Sequence, residues 1–196
     1  LPADFYLVVS ALTPYKRIDL AVLAAKKLKK KLIVIGEGPE RKRLEKMAGP
    51  DAVFLGCQPD AVLRDHNRRA RALLFPGEED FGIVPVEAQG CGAPVIAYAK
   101  GGALETVAEG KTGVFFREQT AASLQKAVLA AENIRWSPDT IRLNAGLSAD
   151  SFALRAGGES AWVQAMEMYD GYFKRAFHAE MLVAARFDGG FISGVR

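Results

Sequence analysis

Residues 76–97 read Pro76-Gly77-Glu78-Glu79-Asp80-Phe81-Gly82-Ile83-Val84-Pro85-Val86-Glu87-Ala88-Gln89-Gly90-Cys91-Gly92-Ala93-Pro94-Val95-Ile96-Ala97. An apolar run, Ala72-Leu73-Leu74-Phe75, precedes the stretch and a second one begins at Val95. Between them the Phe81-Gly82 turn opens a short helix. Strand, loop, helix and strand in this order form the repeating unit of an α/β protein. Glu79 falls in the loop at the carboxyl end of the first strand and Glu87 about one turn inside the helix, so both carboxylates can face a ligand lying across the helix N-terminus.

The same rhythm extends outward. Phe5 to Val9 is a continuous apolar run, as expected of a parallel strand buried on both faces. A helix follows it, with Ile18, Leu20, Ala21, Val22, Ala24, Ala25 and Leu28 as its apolar stripe and Lys26 to Lys31 gathered at its C-terminal end, where cations suit the dipole. Leu32 to Ile35 is a second strand and Pro39 is expected in the first turn of a helix reaching Ala48. Val53 to Leu55 is a third strand, Asp60 is expected to cap a helix to Arg69, and Ala72 to Phe75 is the fourth strand. Val95 to Tyr98, a short helix after Gly102, and Val114 to Phe116 complete the unit. The fold expected is therefore an α/β doubly wound parallel sheet over residues 1–150. Thr120 to Asn133, with Ala121, Leu124, Ala127, Val128 and Ala131 inward, and a helix capped by Ser137-Pro138 join its covering layer. A C-terminal helical tail is expected over 151–196, where Trp162, Met166, Tyr169 and Phe173 recur at helical spacing and Asp188 to Arg196 looks frayed.

Bulk properties narrow the function. A chain of 196 residues, 49% hydrophobic and 25% charged, suits one substantial core. A net charge of +3 without clustered base-reading or aromatic-basic patterns argues against nucleic acid. The basic runs at Lys26 to Lys31, Arg41 to Arg43 and Arg64 to Arg71 lie on or beside expected helices, where a solvated face is the ordinary explanation; peripheral attraction to anionic lipid head groups is the other. Cys57 and Cys91 lack metal-type spacing, no signal peptide is apparent, and no apolar run approaches the roughly 18 residues that cross a bilayer, so a cytoplasmic setting is expected. His66 and His178, the two histidines, fall in no motif.

The paired carboxylates admit two readings. In one, Glu79 is merely solvated and Glu87 caps its helix or sits in an ion pair. In the other the site takes a nucleotide sugar: sugar and ribose diols need acceptors at fixed separation, and a diphosphate needs free N–H groups at the positive helix end. Gly36-Glu37-Gly38-Pro39 invites a dinucleotide reading instead, but Arg41 stands where the third glycine of that fingerprint belongs.

Wider context favours the sugar. Glu79-x-Phe81-Gly82-x4-Glu87-Ala88 resembles the E-x7-E signature of retaining glycosyltransferases of family 4. Lys31 to Pro39, Val53 to Gly56, Gly92 to Ala97, Gly101 to Val107 and Gly110 to Phe116 are similar to segments of that family in the same order, so the resemblance covers residues 5 to 150. It implies the C-terminal, Rossmann-like donor-binding domain of a GT-B enzyme, whose N-terminal domain, expected to hold most of the acceptor, is absent from this chain. Ser10-Ala11-Leu12-Thr13-Pro14-Tyr15-Lys16-Arg17 resembles the family loop G/S-R-L-x-P-x-K, in which the Arg and the Lys neutralise the donor diphosphate. Lys16 matches the Lys, Ala11 replaces the Arg, and Arg17 is the candidate second cation. By the same resemblance Glu87 takes the ribose hydroxyls and Glu79 those of the donor sugar. Phe81, Gly82, Ile83 and Val84 would offer backbone N–H groups, with glycine at 82 for close approach of backbone to ligand. Gly36, Gly38 and Gly56 would admit the base. Retaining transfer is implied, with the leaving group stabilised by Lys16 and the helix N-terminus; no metal is called for, and no Asp-x-Asp motif occurs. The wording around Pro14 to Asp19 and Glu79 to Glu87 is most similar to bacterial mannosyltransferases, which makes GDP-mannose the first expectation for the donor. A stand-alone nucleotide-sugar-binding or interaction module is the alternative.

Overall fold

The computed structural model describes residues 4–80 and 82–155. Their elements alternate in chain order: β1 (Tyr6–Val9), α1 (Ile18–Leu28), β2 (Leu32–Ile35), α2 (Arg41–Met47), β3 (Ala52–Gly56), α3 (Asp60–Arg69), β4 (Leu73–Phe75), α4 (Ile83–Gly90), β5 (Val95–Tyr98), α5 (Ala103–Thr106), β6 (Gly113–Phe116), α6 (Ala121–Glu132) and α7 (Pro138–Arg155). The six strands form one parallel sheet ordered β3-β2-β1-β4-β5-β6. This is the doubly wound sheet that the alternating pattern predicts.

Strand side chains alternate between two cores, as a period of two requires. On one face Tyr6, Val8, Leu32, Val34, Leu74, Ile96 and Phe116 pack under Leu20, Ala24, Leu44, Leu124 and Val128 of α1, α2 and α6. On the other, Leu7, Val9, Ile35, Leu73, Phe75, Val95 and Ala97 meet Leu63, Ala88 and Ala103 of α3, α4 and α5. Covered on both sides, the central strands are apolar throughout, which is why they read as continuous runs rather than alternations.

The order reverses between β1 and β4, which share the single register pair Leu7↔Leu73. From there the chain leaves β1 toward one face and β4 toward the other, opening a crevice at the carboxyl ends of the two strands. Lys16 and Glu79 lie on the two loops that border it.

Local details refine the expected boundaries. Pro59, not Asp60, holds the cap position of α3, and Asp60 is its first residue, where its charge still favours the positive helix end. Pro39 precedes α2, whose cap position is Glu40; the Glu40 N–H, which no helical carbonyl could accept, donates to the Leu12 carbonyl at 3.0 Å. Thr120 caps α6 by accepting from the Ser123 N–H at 3.2 Å, and Ser137 Oγ accepts from the Thr140 N–H at 3.3 Å ahead of Pro138. Helix α7 continues through residue 150, where the sequence pattern placed a division between domain and tail. The aromatic stripe from Trp162 to Phe173, and His178, lie outside the described residues. No helix among the described residues is long and apolar enough to cross a membrane.

Candidate active site

Three loops at the carboxyl ends of β1, β2 and β3 are laced together by main chain. Ser10 donates to the Ile35 carbonyl at 3.0 Å, Leu12 to Glu37 at 2.8 Å, and Gly36 to Gly56 at 2.9 Å. A Cβ at Gly36 would stand 1.9 Å from the Ser10 carbonyl oxygen, and one at Gly38 would stand 2.5 Å from that of Leu12. These glycines therefore let backbone approach backbone. Both, with Gly56, lie at the strand ends where the sequence placed them.

The β1 loop ends in a single 3-10 turn, Pro14–Lys16, after which Arg17 takes a left-handed conformation (φ 52°) and starts α1. That turn carries the Lys16 side chain across the crevice: Nζ lies 2.5 Å from Oε1 of Glu79, and both side chains are largely buried. The exposed Tyr15 ring lies 5.1 Å from the same ammonium. On the opposing loop Gly77 lies against Lys16, since a Cβ there would be 3.1 Å from its Cα and carbonyl oxygen. The main chain of Glu79 is held in turn, its carbonyl accepting the Gly102 N–H at 2.7 Å. Two residues 63 apart in sequence, assigned to phosphate and to sugar, thus meet at one point.

Arg17 is placed differently from the expectation of a free second cation. Its Nε and Nη2 donate to the two Asp19 carboxylate oxygens at 3.1 and 3.3 Å, and Nη1 donates to Gln119 Oε1 at 3.4 Å. Gln119 Nε2 also donates to the Pro76 carbonyl at 3.1 Å, bracing the β1 and β4 loops from beyond β6. Nothing in the sequence near Gln119 signals this, because the contact depends on β6 being the far strand of the sheet.

Gly82 begins α4 with φ 76° and ψ 66°. A Cβ there would touch Phe75 and Pro85 at 3.5 Å, an ordinary contact, while the left-handed backbone itself calls for glycine. Ile83 and Val84 follow in the first turn, where backbone N–H groups have no helical acceptor. Phe81 lies outside the described residues. Glu87, one turn on, is half-buried. Burial pushes its carboxyl well above the usual carboxylate range, and the negative charge of Asp60 at the start of α3 adds to the effect. A carboxylate kept short of water gains more from ligand hydroxyls than a solvated one does. The α3–α4 neighbourhood that produces this shift could not be read from spacing.

Among the described residues no group of three or more His, Cys, Asp or Glu side chains is arranged to hold a metal ion. The chemistry on hand is a cation and a carboxylate in contact at the crevice mouth, the N-terminus of α4 three residues on from that carboxylate, and a second carboxyl group one turn into the helix.

Comparison with known proteins identifies the family. Residues 2–145 match the family described as "Glycosyl transferases group 1". A GDP-mannose-dependent alpha-(1-6)-phosphatidylinositol monomannoside mannosyltransferase of Mycolicibacterium smegmatis is 34% identical over 123 residues, 54% of this chain and 32% of the relative. A D-inositol 3-phosphate glycosyltransferase of Mycobacterium tuberculosis is 35% identical over 130 residues, 58% of this chain and 26% of the relative. Among solved structures, Anabaena HepE in complex with UDP and glucose superposes with a TM-score of 0.61 at 22% identity, over 85% of this chain and 48% of that one, which speaks for the fold. The chain spans less than half the length of each of these proteins. With a family match over residues 2–145, most of its length, the chain belongs to the group 1 glycosyl transferases.

Proposed function

We propose that this chain is the donor-binding half of a retaining, GT-B glycosyltransferase of family 4, moving a sugar from a nucleotide sugar, GDP-mannose first, to a glycan or lipid-linked acceptor. One observation carries the reading: Lys16 and Glu79 converge to 2.5 Å across the β1/β4 crevice, beside the N-terminus of the helix that bears Glu87. A donor laid there would put its diphosphate against Lys16 and the first turn of α4, its hexose against Glu79, and its ribose against Glu87. The point where cation and carboxylate meet corresponds to the bond that breaks, between the anomeric carbon and the phosphate oxygen. As that bond breaks, negative charge grows on the diphosphate and positive charge on the sugar. Lys16 and the α4 dipole stabilise the former without a metal, and Glu79 orients the latter.

The GDP-mannose dependence of the mycolicibacterial relative supports that donor, and the UDP in HepE makes UDP-sugars the alternative to test. Acceptor recognition would come from an N-terminal domain, and the exposed Lys27, Lys29 and Lys31 at the far end of α1 suit a peripheral contact with the inner face of a membrane.

The test is calorimetric titration of the chain with GDP, UDP and ADP and with a corresponding sugar of each. At least one diphosphate should bind, more tightly with its sugar attached, and equally well in EDTA. A folded chain that binds none of them would overturn the proposal.

A further inference from the structure

Behind the site lies a buried polar bridge that neither the carboxylate signature nor the diphosphate loop accounts for. Gln89, on α4 two residues after Glu87, is wholly buried, as is Thr106 at the end of α5. The Gln89 amide donates to the Pro85 carbonyl at 3.2 Å and to the Thr106 carbonyl at 2.9 Å. Asn144 reaches in from α7, between the fully buried Ile141 and Ala145, and its Nδ2 donates to Gln89 Oε1 at 2.7 Å and to the Thr106 carbonyl at 2.8 Å. Both hydrogens of the Gln89 amide and its oxygen are engaged, so the network is satisfied rather than merely tolerated.

The bridge leads to the site by a second set of bonds. Thr106 Oγ1 donates to the Gly102 carbonyl at 3.1 Å, and the Gly102 N–H donates to the Glu79 carbonyl at 2.7 Å. Gly101 brings that junction close, since a Cβ on it would be 2.2 Å from the same Glu79 oxygen. Helix α5 is therefore held at one end by Gln89 and Asn144 and at the other holds the main chain of Glu79. A core leucine in place of either amide would fill space but leave α5 free to shift along α4, because apolar contacts are not directional. Satisfied buried amides specify one arrangement.

We infer that Gln89 and Asn144 are positioning residues for the donor sugar. Through α5 they set where the Glu79 carboxylate stands relative to Lys16 and Glu87, and so whether a hexose fits between them. The inference rests on the donor-sugar role proposed for Glu79.

The experiment compares GDP with GDP-mannose, and UDP with UDP-glucose, on the full 196-residue chain. Asn144→Ala should leave the diphosphate Kd within about twofold and raise the sugar-bearing Kd at least about tenfold, the loss of roughly one charge-assisted hydrogen bond. Gln89→Met, which conserves volume and removes both donors, carries the same expectation should the alanine variant melt too low to titrate. In a Glu79→Ala background Asn144→Ala should add less than about twofold, since residues that act through one another are not additive. Equal losses for diphosphate and sugar-bearing donor, or an undiminished cost of Asn144→Ala on top of Glu79→Ala, would overturn the inference and leave the site as proposed. No effect of Glu79→Ala on the sugar-bearing donor would overturn the donor-sugar reading itself, and this inference with it.

Discussion

Glu87 is asked to be a good ligand group and is a poor structural one. Its carboxyl is held above its ordinary value of 4.5 by burial first and by Asp60 second. The folded state therefore binds the proton more tightly than the unfolded chain does, so stability is greatest below the unfolded value and falls as pH rises through the folded one. Glu87→Gln should remove that slope and raise the melting temperature at neutral pH, while weakening nucleoside diphosphate binding by about 10- to 150-fold, the worth of a charge-assisted hydrogen bond. Thermal melts across pH together with one titration decide it: a variant that is no more stable at neutral pH, or that keeps its affinity, contradicts the assignment. The diphosphate side is argued from Ala11. It is exposed on the β1 loop, where the resembled motif carries Arg, and the structure commits Arg17 to Asp19 and Gln119. Ala11→Arg should tighten diphosphate binding by about 5- to 30-fold, less at high salt. Lys16→Ala should then cost less in that background than in the parent, and equal costs would mean that residue 11 faces away from the diphosphate.

At the scale of elements, the entrance to α4 is set by one dihedral pair. Gly82→Ala has room for its methyl group against Phe75 and Pro85 but must adopt φ 76°, so it should destabilise the chain by about 1–2 kcal/mol. If backbone geometry at this turn also aims the α4 N-terminus, diphosphate affinity falls with it. Denaturant melts and a GDP or UDP titration separate the two effects, and an unchanged melting midpoint would show that the turn relaxes into another conformation.

For the whole molecule, the chain spans less than half the length of the relatives compared above. Transfer needs an acceptor held over the anomeric carbon and water kept out. The isolated chain is therefore expected to bind donor and transfer nothing detectable. Product formed from a labelled nucleotide sugar by the purified chain, and tracking with it through a further purification step, would contradict this.

Sequence alone determined the layers and the rim on which the candidate site residues stand. Continuous apolar runs at β1, β2, β4 and β5, separated by helical stripes, allow only a parallel sheet covered on both faces, and a short motif placed Lys16, Glu79 and Glu87 at the carboxyl rim. These signals are local, carried by periodicity and by neighbours a few positions apart. Tertiary structure decided what each group touches. Lys16 meets Glu79 rather than open solvent, Arg17 is taken by Asp19 and Gln119, Asp60 lifts the Glu87 carboxyl, and Asn144 reaches Gln89 from 55 residues away. Such contacts arise from strand order and helix packing, which bring distant residues within a few ångströms, and charge and hydrogen bonding act over that distance and not along the chain.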